Sequence, residues 1–490
     1  MPKTSRAAIL QGPAFEPHFP DLAEYDPESV GDPRSPLDHL QVAVVGVGGW
    51  GTTHLTSLAR RPGTRVSVVC DVDQAIAEHR LAGLRRHVAY PVRCETDVRR
   101  VIDDPAVDLI TVATPHHWHA LAACWALQNG KDVYLEKPVS HNVAEGQCLL
   151  ALAEEQRRIV QPGLQCRSMA GLRAAIEFVR QGGIGELRLA RGFCYKPRAP
   201  IGGPLAGAIP PGVDYDLWCG PAPRTPLTRP ELHYDWHWFW DTGNGDIGNQ
   251  GVHQMDLCRW GLGVRGLGQQ TLSFGGRWGP ADAGETPNSL VSVHDFGQQR
   301  IVFEVRGLPT PPHRGVTIGA IVYGADGLLV IDSYTTATIY DPQGNEVRTF
   351  RGGGDHLGNF LAAVRRRDPA RLNCPLIEGH WSSSLCHLAN ISWRTGNEVP
   401  AVQLPEHLPD DAQLQAAARQ LASHVSEQGI RWEETRIRCG RTLTLSPHHE
   451  GFAPADQALT PWLSREYRRG FELPRLSGKG DLAGGTLNEH

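Results

Sequence analysis

The sequence predicts an α/β chain: an N-terminal parallel sheet wound with helices, followed by a mostly antiparallel open-sheet α+β domain. Three observations carry this. A short apolar run, "QVAVV" from Gln41, ends in closely spaced glycines and leads into the helical stretch "TTHLTSLARRP". Apolar runs ending in Asp73, Pro115 and Pro138 then alternate with helical segments, the pattern of right-handed βαβ units. Beyond about residue 160, seven strand-like runs from "ELRLARGFCYK" to "ATIYD" are joined mostly by short Gly, Asp or Pro turns, the pattern of an antiparallel sheet.

The bounds agree with a soluble binding protein or enzyme. A chain of 490 residues has room for two or three domains. A net charge of -5, with 21% charged residues, gives no basic field for nucleic acid, so the expected partner is a small molecule. Eleven cysteines without a CxxC pair read as reduced thiols and fit the cytoplasm. The opening residues lack an apolar signal-peptide core, and no uninterrupted apolar run approaches the roughly 18 residues of a membrane span.

Four segments are expected in order. Residues 1–38, with Pro13, Pro17, Pro20, Pro27, Pro33 and Pro36, read as an extended arm of the kind that wraps a neighbouring subunit. Residues 39–160 form the nucleotide-binding domain, 161–400 the open-sheet substrate and oligomerisation domain with return helices, and 401–490 a C-terminal extension. One face of the open sheet must be covered. The helical segments "GLRAAIEFVRQG" and "HLGNFLAAVRRRDP" are expected to cover part of it, and self-association the remainder.

Gly46-Val47-Gly48-Gly49-Trp50-Gly51 fits G-x-G-x-x-G between a strand and a helix, the fingerprint of a Rossmann dinucleotide site. Gly46 allows the tight turn, Gly48 the approach of a pyrophosphate, and Gly51 close packing of helix on strand; Gly49 and Trp50 complete the loop. Asp71, 25 residues after Gly46, ends the second strand, where an acid binds ribose hydroxyls and repels a 2′-phosphate. The pair favours NAD over NADP.

After this fingerprint come "ATPHHWHALAACWALQNGKDVYLEKPVS" and "GNGDIGNQGVHQMDLCRWGLG". That order resembles the Gfo/Idh/MocA family of sugar and polyol dehydrogenases, from about Gln41 to about Gly396. The tail "LTPWLSREYRRGFELP" resembles the ending of a longer bacterial subgroup. The resemblance implies a Rossmann domain, then an open mixed sheet, an active site between them, and homodimers or homotetramers built through sheet faces. Two positions depart from it: Asn249 stands where relatives often hold the Asp of Asp-x-Gly-x-His, and His116 where an Asn commonly follows Thr-Pro.

The chemistry can also be read from the residues. Lys137, at the carboxyl end of a parallel strand and followed by Pro138, is aimed at the cofactor cleft and is the first candidate for acid/base work. Glu136 orients Lys137 or binds cofactor, and Thr114, Pro115, His116 and His119 follow the preceding strand on the cofactor side. Asn142 with Glu145 reads as a capping box. If "NQGVHQMDLCRW" is helical, Asn249, His253 and Asp256 share one face, placing His253 to take a carbinol proton or hold its oxygen. An extended "HYDWHWFWD" puts Trp236, Trp238 and Trp240 on one side, where Trp236 or Trp238 can stack on a pyranose. Arg167, Lys196 and Arg198 are candidates for substrate hydroxyls or a carboxylate, and Asp246 joins them as a substitute for the charge missing at Asn249. The run His116-His117-Trp118-His119 invites a metal reading, but no carboxylate at zincin spacing accompanies it, and no metal is expected.

The leading expectation is therefore an NAD-dependent oxidoreductase that oxidises a ring secondary hydroxyl of a sugar or glycoside, with Lys137 and His253 as acid/base residues. A redox-neutral glycoside-cleaving cycle of oxidation, elimination and re-reduction is the enzymatic alternative, and an NAD-binding scaffold the non-enzymatic one.

Overall fold

The computed structural model describes residues 6–11 and 39–476. Most of the expected arm lies outside the described residues. Within it Arg6–Gln11 is helical, not extended: this stretch has no Pro and is rich in good helix formers.

The first sheet contains β1 (Leu40–Val45), β2 (Thr64–Cys70), β3 (Arg93–Glu95), β4 (Leu109–Val112), β5 (Asp132–Leu135) and β6 (Val160–Pro162), in the order β3-β2-β1-β4-β5-β6. All its pairings are parallel. β1 and β4 are buried nearly end to end because helices cover both faces. On one face Leu55, Ile76 and Phe360 pack on Val42, Val66 and Leu109; on the other Leu121, Leu127 and Leu149 pack on Val45, Val112 and Val133. The order reverses between β1 and β4, which is where open α/β sheets bind ligands.

Phe360 belongs to the helix His356–Arg366, the "HLGNFLAAVRRR" segment expected on the second sheet. Its apolar face lies instead on the dinucleotide sheet. Sequence periodicity identifies a buried face but not the partner that buries it.

The second sheet contains β7 (Leu187–Tyr195), β8 (Gln270–Gly276), β9 (Ser289–Asp295), β10 (Arg300–Arg306), β11 (Ile318–Gly324), β12 (Gly327–Ile331), β13 (Thr336–Tyr340), β14 (Glu346–Arg351), β15 (Asn397–Pro400), β16 (Arg436–Cys439) and β17 (Leu443–Thr444). The order is β14-β13-β12-β11-β7-β10-β9-β8-β16-β15, with β17 also on β8. Only β7 and β10 pair in parallel, so the sheet is mostly antiparallel.

Helices Ala170–Arg180, Gly251–Leu262 and Leu376–Arg394 cover one face. Leu376–Arg394 also touches the helix Val143–Glu155 and β6, so it bridges the two halves. On the opposite face Leu414, Leu421 and Val425 of the helix Ala412–Glu427 lie on Phe274, Val291 and Val302. The chain's own C-terminal extension thus takes part of the cover expected from self-association. Each fully buried Leu or Val there contributes roughly 1.5–3 kcal/mol.

Candidate active site

The glycine loop is built by two requirements of the fold and one opening. Gly46 has φ +82°, and a Cβ there meets the Ala113 backbone at 2.7 Å; at Gly51 it meets the Gly46 carbonyl at 1.8 Å. Neither position tolerates a side chain. By contrast, a Cβ at Gly48 meets nothing closer than 3.6 Å, and one at Gly49 nothing within 4 Å. Both face a cavity of about 650 Å³ that runs from this loop to His253. Open backbone at the start of the helix Gly51–Arg60 suits a pyrophosphate. Asp71 lines the same cavity, its Oδ2 accepting from Val47 N at 2.8 Å and its Oδ1 from Asp73 N at 3.1 Å. Burial raises its pKa. The residues fit NAD: Gly48 and Gly49 leave room for the pyrophosphate, and Asp71 retains lone pairs for ribose hydroxyls.

The carboxyl ends of β4 and β5 are tied together by His119, whose ring nitrogens lie 2.8 Å from Thr114 O and 2.6 Å from Pro138 O. Glu136 is buried between His54 Nε2 at 3.1 Å and Gln165 Nε2 at 3.4 Å. Burial pushes its carboxyl up, but His54, Lys137 and His253 together leave it below the ordinary range. Lys137 Nζ donates to Asn249 O at 3.1 Å and reaches Asn249 Oδ1 at 3.4 Å. Burial pulls the amine's pKa down; Glu136 and Asp246 oppose this, while Lys196 and Arg198 reinforce it.

His253 lines the same cavity in the first turn of Gly251–Leu262, its ring 5.3 Å from that of Tyr334. Burial first, then Lys137, lowers its pKa to about 3, so the imidazole is neutral at physiological pH. Asn249 is not on that helix. It follows the short turn Gly245–Gly248 with ψ -86°, so the expected stacking of Asn249, His253 and Asp256 does not form. The backbone leaves the helical region at Asn249, between Gly245–Gly248 and Gly251–Leu262, and Asn249 meets Lys137 instead.

Comparison with known proteins adds to this geometry. Residues 40–164 match the model of the oxidoreductase family with an NAD-binding Rossmann fold, and residues 204–283 that family's C-terminal alpha/beta domain. Both matched models are those of the Gfo/Idh/MocA oxidoreductase family. Among curated relatives it is 26% identical over 165 residues to a glycosyl hydrolase family 109 protein of Shewanella sp. (strain W3-18-1), covering 31% of this chain and 34% of that protein. It is 25% identical over 161 residues to the alpha-N-acetylgalactosaminidase of Shewanella oneidensis, with the same coverage. These matches span about a third of those relatives' length. Among solved structures, the Bordetella pertussis WlbA dehydrogenase in complex with NADH and UDP-GlcNAcA superposes with a TM-score of 0.54, at 18% identity, over 73% of this chain and 97% of that one. Levoglucosan dehydrogenase in complex with NADH and levoglucosan gives 0.55, at 16% identity, over 72% and 96%. The likeness in these two is one of fold.

Within this cavity the structure brings together Gly46, Gly48, Gly49, Trp50, Asp71, Thr114, Pro115, His116, His119, Glu136, Lys137, Lys196, Trp236, Asn249 and His253. Four expected substrate residues are elsewhere. Arg167 is buried against Asp256 at 2.8 Å and Glu378 at 2.9 Å, and this pair is also why Asp256 does not serve His253. Arg198 is paired with Asp246 at 2.5 Å, so neither is free for the substrate, and it lies 5.3 Å over Trp238 beside a separate pocket. The Trp-rich run is not extended: Asp235–Trp238 is a single 3-10 turn, which separates Trp236 from Trp238. Three contributors were missed: His54, Tyr334 and His237. His54 meets Glu136, 82 residues away, and Tyr334 meets the ring of His253 from a different element, so no local spacing marks these two; His237 is held locally by Tyr234 O and the Trp236 ring, inside the run read as an aromatic stripe. The capping box is present in altered form: Asn142 Oδ1 accepts from Glu145 N at 2.9 Å, while Glu145 reaches back to His141 N at 2.7 Å. Among the described residues no helix is long and apolar enough to cross a membrane, and no cluster of three metal-ligating side chains occurs.

Proposed function

We propose that this protein oxidises a ring secondary hydroxyl of a sugar or glycoside. The observation that carries the reading is the meeting of Lys137 with Asn249 inside the cavity that begins at the glycine loop. Bound NAD supplies the hydride acceptor. The chain's own residues handle the proton and position the substrate. Loss of hydride from a carbinol carbon leaves the hydroxyl proton to be removed, and neutral Lys137 Nζ takes it. Burial favours that neutral form, and Asn249 holds the amine without adding a negative charge that would raise its pKa. His253, with a pKa near 3, is a weak base and serves better as a neutral hydrogen-bonding wall for the substrate oxygen. Lys196 and Trp236 line the same space and offer a donor and an apolar ring face.

A redox-neutral reading is favoured by the similarity to proteins named as a glycosyl hydrolase and an alpha-N-acetylgalactosaminidase. In that cycle Lys137 serves the proton transfers of both the oxidation and the return; between them the acidified proton and the glycosidic group leave and water adds across the resulting double bond. One experiment separates the readings: incubate the purified protein and NAD with a panel of free sugars and chromogenic glycosides, following NADH and the released group together. NADH equal to product supports net oxidation. Release without NADH supports the redox-neutral cycle, and neither signal across the panel overturns both.

A further inference from the structure

A third cavity, of about 290 Å³, is lined by residues that closely follow Lys137 and closely precede Asn249 in the chain. This is close to the lower end, roughly 300 Å³, of small-molecule sites. Its floor joins His141, just after Lys137, to Asn244, just before Asn249, through a 3.1 Å bond from Asn244 Nδ2 to His141 O. The helix Leu376–Arg394 supplies one wall through Asn390 and Arg394, and the C-terminal segment closes the rim with Trp462 and Arg465.

Its polar groups are incompletely matched. The Arg394 guanidinium lies 4.7 Å from the Trp240 ring and 4.8 Å from the Trp462 ring, and makes no ion pair among the described residues. Arg465 Nη1 donates to Asp241 O at 2.9 Å and reaches His141 Nδ1 at 3.3 Å, but its Nε is buried without a hydrogen-bond partner. Asn244 is 6% exposed and Asn390 4%, and the side-chain oxygen of each is buried and unpartnered. The exposed Asp241 is the one carboxylate in the lining.

Buried polar atoms without partners cost free energy. Here the unmet buried set is the Arg465 Nε donor, which wants an anion beside the half-buried Arg394 charge, together with the Asn244 and Asn390 amide oxygens and the ring nitrogens of His387, which want hydroxyl partners. Two Trp rings stand beside them, and aromatic faces suit the C–H faces of polyhydroxylated molecules. A simple anion leaves the amides unmet, and a neutral polyol leaves the guanidinium unmet. We propose that this cavity binds a small polyhydroxylated carboxylate of sugar-acid size. A ligand there rests on the same two loops that hold Lys137 and Asn249.

The test uses the full chain with NAD present, labelled with fluorotryptophan and followed by fluorine NMR, the Trp240 and Trp462 signals being assigned from Trp240→Phe and Trp462→Phe. D-gluconate should shift both signals saturably. D-glucitol, which lacks the charge, and acetate, which lacks the hydroxyls, should each bind about tenfold or more weaker. Arg394→Met should weaken gluconate by about tenfold or more, and Lys196→Ala, in the main cavity, should leave it unchanged. Unmoved signals, equal binding of gluconate and glucitol, or gluconate binding that is lost in Lys196→Ala would each overturn the proposal. The comparison of the three probes on the wild-type chain stands even if Arg394→Met does not fold.

Discussion

Lys137 Nζ donates to the backbone carbonyl of Asn249 at 3.1 Å, joining the end of β5 to the loop that precedes Gly251–Leu262. The amide oxygen of Asn249 stands 3.4 Å from the same nitrogen. Asn249→Asp puts a carboxylate there, which stabilises the ammonium and raises the Lys137 pKa. Oxidation needs the neutral amine, so the rising limb of kcat against pH should move to higher pH by about one unit or more. Asn249→Ala keeps the carbonyl contact and should leave the limb nearly in place. Superimposable profiles for wild type and Asn249→Asp would remove Lys137 from the proton step.

Lys137→Ala should lower turnover by about 10² or more, while a fluorescence titration finds NAD binding largely unchanged. Lys137→Arg should not rescue it, because guanidinium remains charged throughout the working pH range. A rate within a few-fold of wild type in either variant contradicts the assignment.

Asp71 both shapes the glycine loop and presents charge to the cavity. Asp71→Asn retains an acceptor for Val47 N and should chiefly relax discrimination against NADP. Asp71→Ala also frees the loop N–H and should weaken NAD and NADP alike. Titration of both cofactors against both variants checks this; unchanged selectivity in Asp71→Asn rejects the charge role.

Arg167→Met leaves the Asp256 carboxylate buried without its bidentate partner and should cost about 3–5 kcal/mol in urea unfolding. Asp256→Asn in that background should restore part of the loss. If Arg167 touched substrate, the folded variant would show a raised KM; an unchanged KM is expected.

Acid should destabilise the fold early. Burial holds His117, His237, His253, His294 and His387 at about 3 and His356 at about 4, against an ordinary 6.5. The unfolded chain takes up these protons as pH falls below 6.5, and the folded chain does not. Stability is therefore fully present above that value and declines toward pH 4, by about 1.4 kcal/mol per pH unit for each such group. Urea midpoints from pH 7 to pH 5 measure the slope, and a flat series contradicts it.

The Rossmann half was legible because its signals are local: apolar runs, the glycine fingerprint, and Lys137 and Asp71 at strand ends. The open sheet was legible as a class, since β7 to β13 announce themselves by composition. What eluded the sequence depends on long-range pairing. Arg167 and Arg198 look like free cations until Asp256 and Asp246 arrive from elements 89 and 48 residues away. His253 keeps its place, but its helical alignment with Asn249 fails because the helix begins only at Gly251, after Asn249 has left the helical region. Phe360 shows the same limit in a core helix, whose apolar stripe fits either sheet.

The helix Ala412–Glu427 has a further meaning for the handling of this chain. It shields Phe274, Val291 and Val302 on a broad pleated face. A version cut after Gly396 would keep every residue of the proposed chemistry yet bare that face to water, and exposed apolar sheet invites self-adhesion. This helix is thus a built-in cover for the surface beneath it, and attempts to trim the protein to its catalytic minimum should yield particles and precipitate before they yield a smaller folded protein.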